Sequence, residues 1–232
     1  MKRINVLLVL GLFVLAVTAG YAQAQDKNAQ VFVIHGIPGI DLGLDPDLSV
    51  DVYVDDALAI PGFKFKQKVG PLAFPAGTYN IKIALEGTTD PVIEADVPFF
   101  SNETAVVIAH LTDEGGITAS KFVYDMSPIS GIKSRFYFNH LANAPTVDVW
   151  ANRTTGVGNP MFRVDEISNG DKFFVEVRPK EWLLSLGPTG TGIELTSKHV
   201  RLQYAKATLI FALGSLENQT FTFISLRIRG LK

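Results

Sequence analysis

The chain of 232 residues contains no cysteine. A disulfide framework is therefore excluded, and so is a lipid anchor on an acylated cysteine. Secreted eukaryotic proteins of this size more often carry disulfides. For an exported chain, the absence of cysteine thus indicates a bacterial periplasm or cell surface.

The sequence also has little net charge. The formal charge is −2 at pH 7, and residues of opposite sign are interspersed along the chain. Proteins that bind nucleic acid or anionic lipid electrostatically carry a basic patch or an excess of positive charge. We therefore predict no nucleic-acid partner.

Long apolar runs are missing except near the first residue. The basic pair Lys2-Arg3 precedes an apolar stretch over 6–19, which the small-residue sequence Ala22-Gln23-Ala24 follows. This order is typical of a secretory signal peptide, so we predict a signal peptide over 1–24, with cleavage after Ala24. A membrane anchor is the alternative, but the apolar stretch is shorter than the roughly 20 residues that span a bilayer. We predict no integral membrane segment after cleavage, because no later stretch reaches that length without a charge or proline.

A helical stripe of apolar residues is absent beyond the signal peptide, and alternation takes its place. In the sequence SVDVYVDD, Val50, Val52 and Val54 share one face, whereas Asp51 and Tyr53 share the other. We predict a strand with buried valines and an exposed Asp51. The sequence TVDVWA repeats the pattern, so we predict that Asp148, opposite Val147 and Val149, is exposed as well. A change of either aspartate to asparagine would then cost less than about 1 kcal/mol.

The sequence TAVVIAHL is apolar almost throughout, which predicts a central strand or one covered on both faces. Hydrophobic residues make up 47% of the chain and aromatic residues 10%, which predicts filled cores instead of disorder.

The chain contains the same order of features twice. A histidine, a Pro-bearing loop and a Val-Asp-Val-aromatic strand recur about a hundred residues apart, with a longer loop in the first copy. The paired features are His35 with His140, Val50–Tyr53 with Val147–Trp150, Gly77 with Gly170, and TAVVIAHL with KATLIFAL.

The sequence DMSPISGIK between the copies contains Pro, Gly and Ser without periodicity, which predicts a linker. We predict a first β-sandwich domain over 25–126, a linker over 127–132, and a second, divergent β-sandwich domain over 133–232. About 100 residues in each domain suit a single sandwich core.

The first copy resembles the domain-of-unknown-function 4397 family of exported, mostly bacterial proteins. The resemblance lies in VFVIHGIPG, SVDVYVDD, GPLAFPAGTYNIKI, TAVVIAHL with DEGGITASKFVYD, and NHLANAPTVDVW, and it covers most of 30–150. It implies two tandem immunoglobulin-like antiparallel β-sandwiches on a secreted or surface protein, with no established activity. The second copy departs from the pattern, since SNGDKF stands in place of Pro-Ala-Gly-Thr-Tyr and GPTGTGIEL is inserted downstream.

The sequence predicts no catalytic residue, metal site or cofactor. GPTGTGIEL has Ile193 and Glu194 where a phosphate-binding loop needs a lysine and a hydroxyl residue, and no spacing of three or four metal ligands occurs. Histidines at strand ends can be structural or can join a nearby aspartate in a binding site. Aromatic residues beside an exposed carboxylate can form a platform for a glycan or peptide. The candidate ligand-binding residues are His35, Asp51, Tyr53, His140, Asp148 and Trp150.

Two functions remain in agreement with these features. The first is a non-catalytic exported protein of the cell envelope or the extracellular space, with a structural, adhesive or interaction role and an envelope protein or glycan as its partner. The alternative is a protein that binds a small molecule or a glycan through the histidine and aspartate loop ends.

Overall fold

The computed structural model describes residues 28–153 and 161–229, so the predicted signal peptide lies outside the described residues. These residues form sixteen β-strands and one short 3₁₀ helix, Gly39–Leu42. The strands of the first half are β1 (Ala29–His35), β2 (Ser49–Val54), β3 (Ala57–Lys64), β4 (Lys68–Phe74), β5 (Gly77–Leu85), β6 (Pro91–Phe99), β7 (Thr104–Leu111) and β8 (Ile117–Tyr124). Those of the second half are β9 (Ser134–His140), β10 (Val147–Arg153), β11 (Phe162–Ile167), β12 (Lys172–Val177), β13 (Glu181–Pro188), β14 (Thr196–Arg201), β15 (Lys206–Leu213) and β16 (Thr222–Arg229). The described part of the chain includes no helix with the length and hydrophobicity needed to cross a bilayer.

The strands form four sheets of four strands each. In the first half the orders are β3-β2-β5-β6 and β4-β1-β7-β8, and in the second half they are β11-β10-β13-β14 and β12-β9-β15-β16. Each second-half order is a first-half order with every strand number raised by eight. The structure thus confirms the all-β fold of two sandwiches, and the strand orders show that the chain is duplicated.

One equivalence drawn from the sequence is wrong. Gly77 begins β5, whose counterpart is β13, whereas Gly170 lies in the turn before β12. The Gly170 amide donates to the His140 carbonyl (2.8 Å), as the Lys66 amide donates to the His35 carbonyl (2.9 Å). Gly170 therefore corresponds to Lys66, and both have positive φ, 92° and 69°. Because the second copy lacks a Pro-Ala-Gly turn, the sequence comparison assigned Gly170 to a position one strand too late.

Two strand pairs depart from the predicted antiparallel pairing. β1 is parallel to β7, with His35 beside Ala109, and β9 is parallel to β15, with His140 beside Ala212. Alternation along a strand shows which side chains share a face, but it does not give the direction of the neighbouring strand. The other strand pairs of the four sheets are antiparallel.

The two sandwiches pack against each other through one sheet each. We call β4-β1-β7-β8 and β12-β9-β15-β16 the inner sheets, and the other two the outer sheets. One cluster of buried residues, the inter-sandwich core, joins the inner sheets: Phe32, Ile34, Val106, Ile108, Tyr124, Tyr137, Leu141, Ala207, Leu209, Phe211, Leu213, Ile224, Leu226 and Ile228. The molecule thus has four layers, and the inner sheets are covered on both faces.

This layering explains the near-continuous apolar runs. Along β7, Ala105 and Val107 face the core of the first sandwich, whereas Val106 and Ile108 face the inter-sandwich core. Every residue of β7 is buried, as is every residue of β9. The prediction that TAVVIAHL is central or covered on both faces is confirmed on both counts.

Polar contacts surround the junction between the halves. The Tyr124 hydroxyl donates to Asn139 Oδ1 (2.7 Å) in a buried position, and the Arg135 guanidinium donates to the Asp125 carbonyl (2.6 Å). Asn169 Nδ2 donates to the Leu111 carbonyl (3.0 Å). The predicted linker falls in the segment between β8 and β9, and the bounds of the two domains stay a prediction.

Candidate functional site

Asp51 and Asp148 are buried, so the prediction of exposed carboxylates is wrong. Asp51 is 5% exposed and Asp148 is 1% exposed. Their strands, β2 and β10, do direct the neighbouring valines into the sandwich cores, as predicted: Val50 and Val52 contact one core, and Val149 contacts the other. On the opposite face of each strand the aspartate is covered, whereas the aromatic residue beside it, Tyr53 or Trp150, is half-buried.

In the first sandwich, the Asp51 carboxylate binds two backbone amides. The Gly62 amide donates to Oδ1 (2.8 Å), and the Gly87 amide donates to Oδ2 (2.9 Å). Gly62 lies where the β2–β3 register shifts, and Gly87 lies in the turn between β5 and β6. One side chain thus connects a β-bulge to a neighbouring hairpin turn, an arrangement that we call an aspartate tie.

The second sandwich repeats the aspartate tie. The Glu166 amide donates to Asp148 Oδ1 (3.1 Å), and the Gly190 amide donates to Oδ2 (3.0 Å). Glu166 lies at the β10–β11 register shift, as Gly62 lies at the β2–β3 register shift, and their φ angles are 60° and 57°. Gly190 and Gly87 also correspond, with φ angles of 76° and 78°. The duplicated aspartates therefore hold the same two backbone features in both copies.

Asp148 differs from Asp51 by an additional charged partner. Arg163 Nη2 lies 2.6 Å from Asp148 Oδ2. Burial favours the neutral carboxyl, but the amides of Gly190 and Glu166 and the Arg163 charge outweigh it and lower the pKa of Asp148. Asp148 is therefore an anion that the fold stabilises, and neither a proton donor nor a free nucleophile at neutral pH.

The aromatic residues beside the two aspartates are half-buried. The Tyr53 hydroxyl donates to the Thr88 carbonyl (3.1 Å), and the Arg163 guanidinium lies 5.7 Å from the centre of the Trp150 ring. Because both carboxylates are covered, the predicted platform of an aromatic ring beside an open carboxylate does not form.

His35 and His140 lie at equivalent strand ends but have different partners. The Ile37 amide donates to His35 Nδ1 (3.3 Å), whereas His140 Nε2 hydrogen-bonds to the Pro145 carbonyl (3.1 Å). Burial lowers the pKa of His35 to about 4, and it also lowers the pKa of His140. Both rings are therefore neutral at physiological pH, and neither histidine is among the hydrogen-bond partners described above for the two aspartates.

His110, the other buried histidine in the first half, is also held by its neighbours. Its Nδ1 bonds to the Leu111 carbonyl (2.9 Å) and its Nε2 to the Ser120 hydroxyl (2.9 Å). Across 28–153 and 161–229, no three His, Asp or Glu side chains are grouped closely enough to hold a metal ion.

The structure contains a cavity that the sequence reasoning missed. A space of about 230 Å³ lies between the β1–β2 loop and the strand ends of the first sandwich, and His35 lines it together with apolar residues. The loop contributes Ile37, Leu42, Leu44 and Leu48. The missed signal is the composition of the longer first loop, since a solvated loop rarely carries so many apolar residues.

The fold defines a class of proteins with two duplicated β-sandwiches, joined back to back through their inner sheets and each held by an aspartate tie. The sequence model of the family described as domain of unknown function DUF4397 matches residues 29–150, which is more than half of the chain. The chain therefore belongs to this family, and the predicted resemblance is confirmed.

Solved structures with some likeness to the chain come from bacteria. They are the Bacillus anthracis TIE protein (10% identity, TM-score 0.28) and candidate cell adhesion proteins from Bacteroides ovatus (12%, 0.26) and Bacteroides fragilis (11%, 0.20). The matches cover 82%, 86% and 88% of this chain, and 50%, 96% and 98% of those chains, respectively. The chain thus spans about half the length of the TIE protein. No curated protein matches the chain. At these TM-scores the likeness carries no argument about function.

Proposed function

We propose that this protein is a non-catalytic module of the bacterial cell envelope or extracellular space, with a structural or interaction role. The observation that carries the proposal is that aspartate and histidine side chains, which are common catalytic groups, hold backbone features of the fold in this protein. Asp51 and Asp148 each hold a bulge and a turn, and His140 holds the loop that follows its strand. Groups engaged in this way are not available as bases or nucleophiles.

The inter-sandwich core supports a structural role. Tandem domains joined only by a linker move relative to each other, unless their interface is large and hydrophobic. Here, fourteen buried residues from both halves form one cluster. A block of four layers can hold two surfaces at a fixed separation, as a spacer or a bivalent interaction module requires.

Export is the part of this proposal that rests on the leader pattern and the absence of cysteine. We expect the protein purified from the envelope or medium of its host to begin at Gln25. Mass spectrometry of the N-terminal peptide measures this directly. An intact Met1 in the envelope fraction would contradict the proposal.

The alternative function is the binding of a small molecule or a glycan through the histidine and aspartate loop ends, and binding measurements separate it from the structural role. We expect the purified protein to show no saturable binding on a glycan array or to a panel of divalent metals. Tyr53→Ala and Trp150→Ala are suitable variants, because both side chains are half-buried and neither belongs to an aspartate tie. Tyr204→Ala is the matched control, since Tyr204 is 62% exposed elsewhere on the surface. Saturable glycan binding that Tyr53→Ala or Trp150→Ala removes and Tyr204→Ala retains would overturn the proposal.

A further inference from the structure

The small net charge of the chain is the sum of two opposite charges, although residues of both signs occur in each half. Residues 28–124 include five basic and thirteen acidic residues, a net charge of −8. Residues 134–229 include eleven basic and eight acidic residues, a net charge of +3. Surfaces of opposite charge attract each other and fix the orientation in which they meet. The positions of the exposed charges show which surfaces these are.

The first sandwich carries acidic loops at the end where β1 and β7 finish. Three loops lie there, 36–48, 86–90 and 112–116, and none of them contains lysine or arginine. Among the described residues, no ion pair involves their exposed carboxylates. These carboxylates are Asp45, Asp47, Asp90, Asp113 and Glu114. We call this surface the acidic end.

Exposed apolar residues lie among the acidic loops. Leu44, Leu85, Val92 and Ile117 are between 36% and 46% exposed, and they line the apolar cavity described above. Each of them lies within one of the three loops or within two residues of it. An apolar centre with a charged rim is the usual composition of a surface that binds another protein.

The second sandwich has a complementary surface at its turns β12–β13 and β14–β15. The two turns lie side by side, since the Leu202 amide donates to the Lys180 carbonyl (3.0 Å). Among the described residues that line the groove between them, Lys180, Arg201 and Lys206 are basic and Glu181 alone is acidic. Tyr204 also lines the groove and is 62% exposed. We call this surface the basic end.

The acidic end and the basic end lie at opposite ends of the molecule. Asn169, in the turn before β12, donates to the Leu111 carbonyl at the end of β7, so the start of β12 is level with the acidic end. The basic end follows the other end of β12, where Val177 pairs with Ser134. A strand of eight residues such as β7 spans about 26 Å, and the Debye length at physiological salt is about 8 Å. The two charges therefore cannot neutralise each other within one chain.

We propose that the basic end of one chain docks on the acidic end of a second copy. Lys180, Arg201 and Lys206 face the carboxylates of the three loops, and the Tyr204 ring covers the exposed apolar residues. Tyrosine suits this place, because its ring is apolar and its hydroxyl can donate to a carboxylate of the rim. The inference rests on the interaction role proposed above and names the partner.

The contact joins two different surfaces, so it leaves one acidic end and one basic end free on every pair of chains. Contacts of this kind repeat, and they close into a ring or continue as a filament. We therefore expect assemblies larger than a dimer as the concentration of the protein rises.

Two charge reversals in the full chain as purified after export test the proposal. Asp113→Lys with Glu114→Lys changes the acidic end, and Lys180→Glu with Arg201→Glu changes the basic end. We expect sedimentation velocity at low ionic strength to show association of the wild type that added salt weakens. Each double variant should associate at least about tenfold more weakly. An equimolar mixture of the two should associate with the affinity of the wild type, because one supplies an intact basic end and the other an intact acidic end.

Matched controls separate the proposed contact from a change in net charge. Glu94→Lys with Asp96→Lys changes two exposed carboxylates on the outer sheet of the first sandwich, and it should associate like the wild type. Tyr204→Ala should weaken association at least about tenfold. Ile193→Ala is its control, since Ile193 is also 62% exposed, and it should have no effect.

The wild type and Tyr204→Ala decide the matter even if a charge-reversal variant does not fold. A wild type that stays monomeric up to about 1 mM at low ionic strength would overturn the inference, whereas the N-terminal and glycan measurements above test the proposed function separately. Association that Tyr204→Ala or both charge reversals leave unchanged would place the contact elsewhere and overturn the inference. Two folded charge-reversal variants that fail to associate when mixed would overturn the pairing of unlike ends.

Discussion

Replacing Asp51 with asparagine tests whether the aspartate tie holds the first sandwich together. Both carboxylate oxygens accept hydrogen bonds from backbone amides, from Gly62 at 2.8 Å and from Gly87 at 2.9 Å. Asparagine keeps one oxygen but places an NH₂ group where the other oxygen was. That NH₂ group would face a backbone N–H, so two donors would meet without an acceptor.

The expected loss of stability follows from these contacts. A hydrogen bond to a charged group contributes about 1.5–3 kcal/mol, and a buried donor left unpaired costs about 1–3 kcal/mol. The two contributions overlap, since the same amide is involved in both. We therefore expect Asp51→Asn to lower the free energy of unfolding by about 2–4 kcal/mol, in place of the loss of under about 1 kcal/mol expected for an exposed residue.

Urea titration followed by circular dichroism measures this loss from the transition midpoint and slope. Asp90→Asn is the matched control, because Asp90 is exposed and lies near the same β5–β6 hairpin. We expect the control to lie within about 0.5 kcal/mol of the wild type. If Asp51→Asn and Asp90→Asn unfold at the same midpoint as the wild type, the tie does not stabilise the fold and the reasoning is refuted.

Leu209→Ala removes a fully buried side chain from the inter-sandwich core and should cost about 2–5 kcal/mol in the same titration; a loss below about 1 kcal/mol would contradict the close packing of the inner sheets. Val149→Asp places an unpaired charge in the core of the second sandwich and should cost several kcal/mol. We expect its circular dichroism spectrum to be that of an unfolded protein, and a native spectrum would contradict this prediction. The pKa of Asp148 is lowered in the folded state, so its contribution is present above the unfolded carboxyl pKa and is lost as the pH falls through the lowered folded value. Urea midpoints from about pH 7 to about pH 2 should therefore fall less steeply for Asp148→Asn than for the wild type, and identical slopes would refute this. The separate halves, 25–128 and 131–232, should retain β structure but self-associate through their uncovered inner sheets, whereas two monomeric halves in size-exclusion chromatography would show that the inter-sandwich core is dispensable.

The sequence predicted the strands because alternation is a local property. Val50 and Val52 repeat with period two, and a strand turns such residues to one side wherever it lies in the fold. The duplication was equally readable, since His35 and His140 precede similar strands in the same order. Its one failure, the pairing of Gly77 with Gly170, occurred where the second copy has a different turn.

The role of Asp51 could not be read in the same way. Alternation correctly placed Asp51 on the face opposite the valines, but it does not say what covers that face. Its two partners, Gly62 and Gly87, are 11 and 36 residues away, and they reach the carboxylate only after three strands have paired. The cavity beside His35 likewise depends on the path of a loop of thirteen residues, which no periodic pattern describes.

The sequence by itself determined the β class and the two copies, and it predicted that TAVVIAHL is either a central strand or one covered on both faces. The tertiary structure alone decided that the inner sheets cover each other, that β1 is parallel to β7, and that Asp51 and Asp148 are buried. The physical reason is the range of the interactions. Side-chain alternation is fixed between neighbours in the chain, whereas burial and hydrogen bonding depend on which distant strands, turns and loops the folded chain brings together.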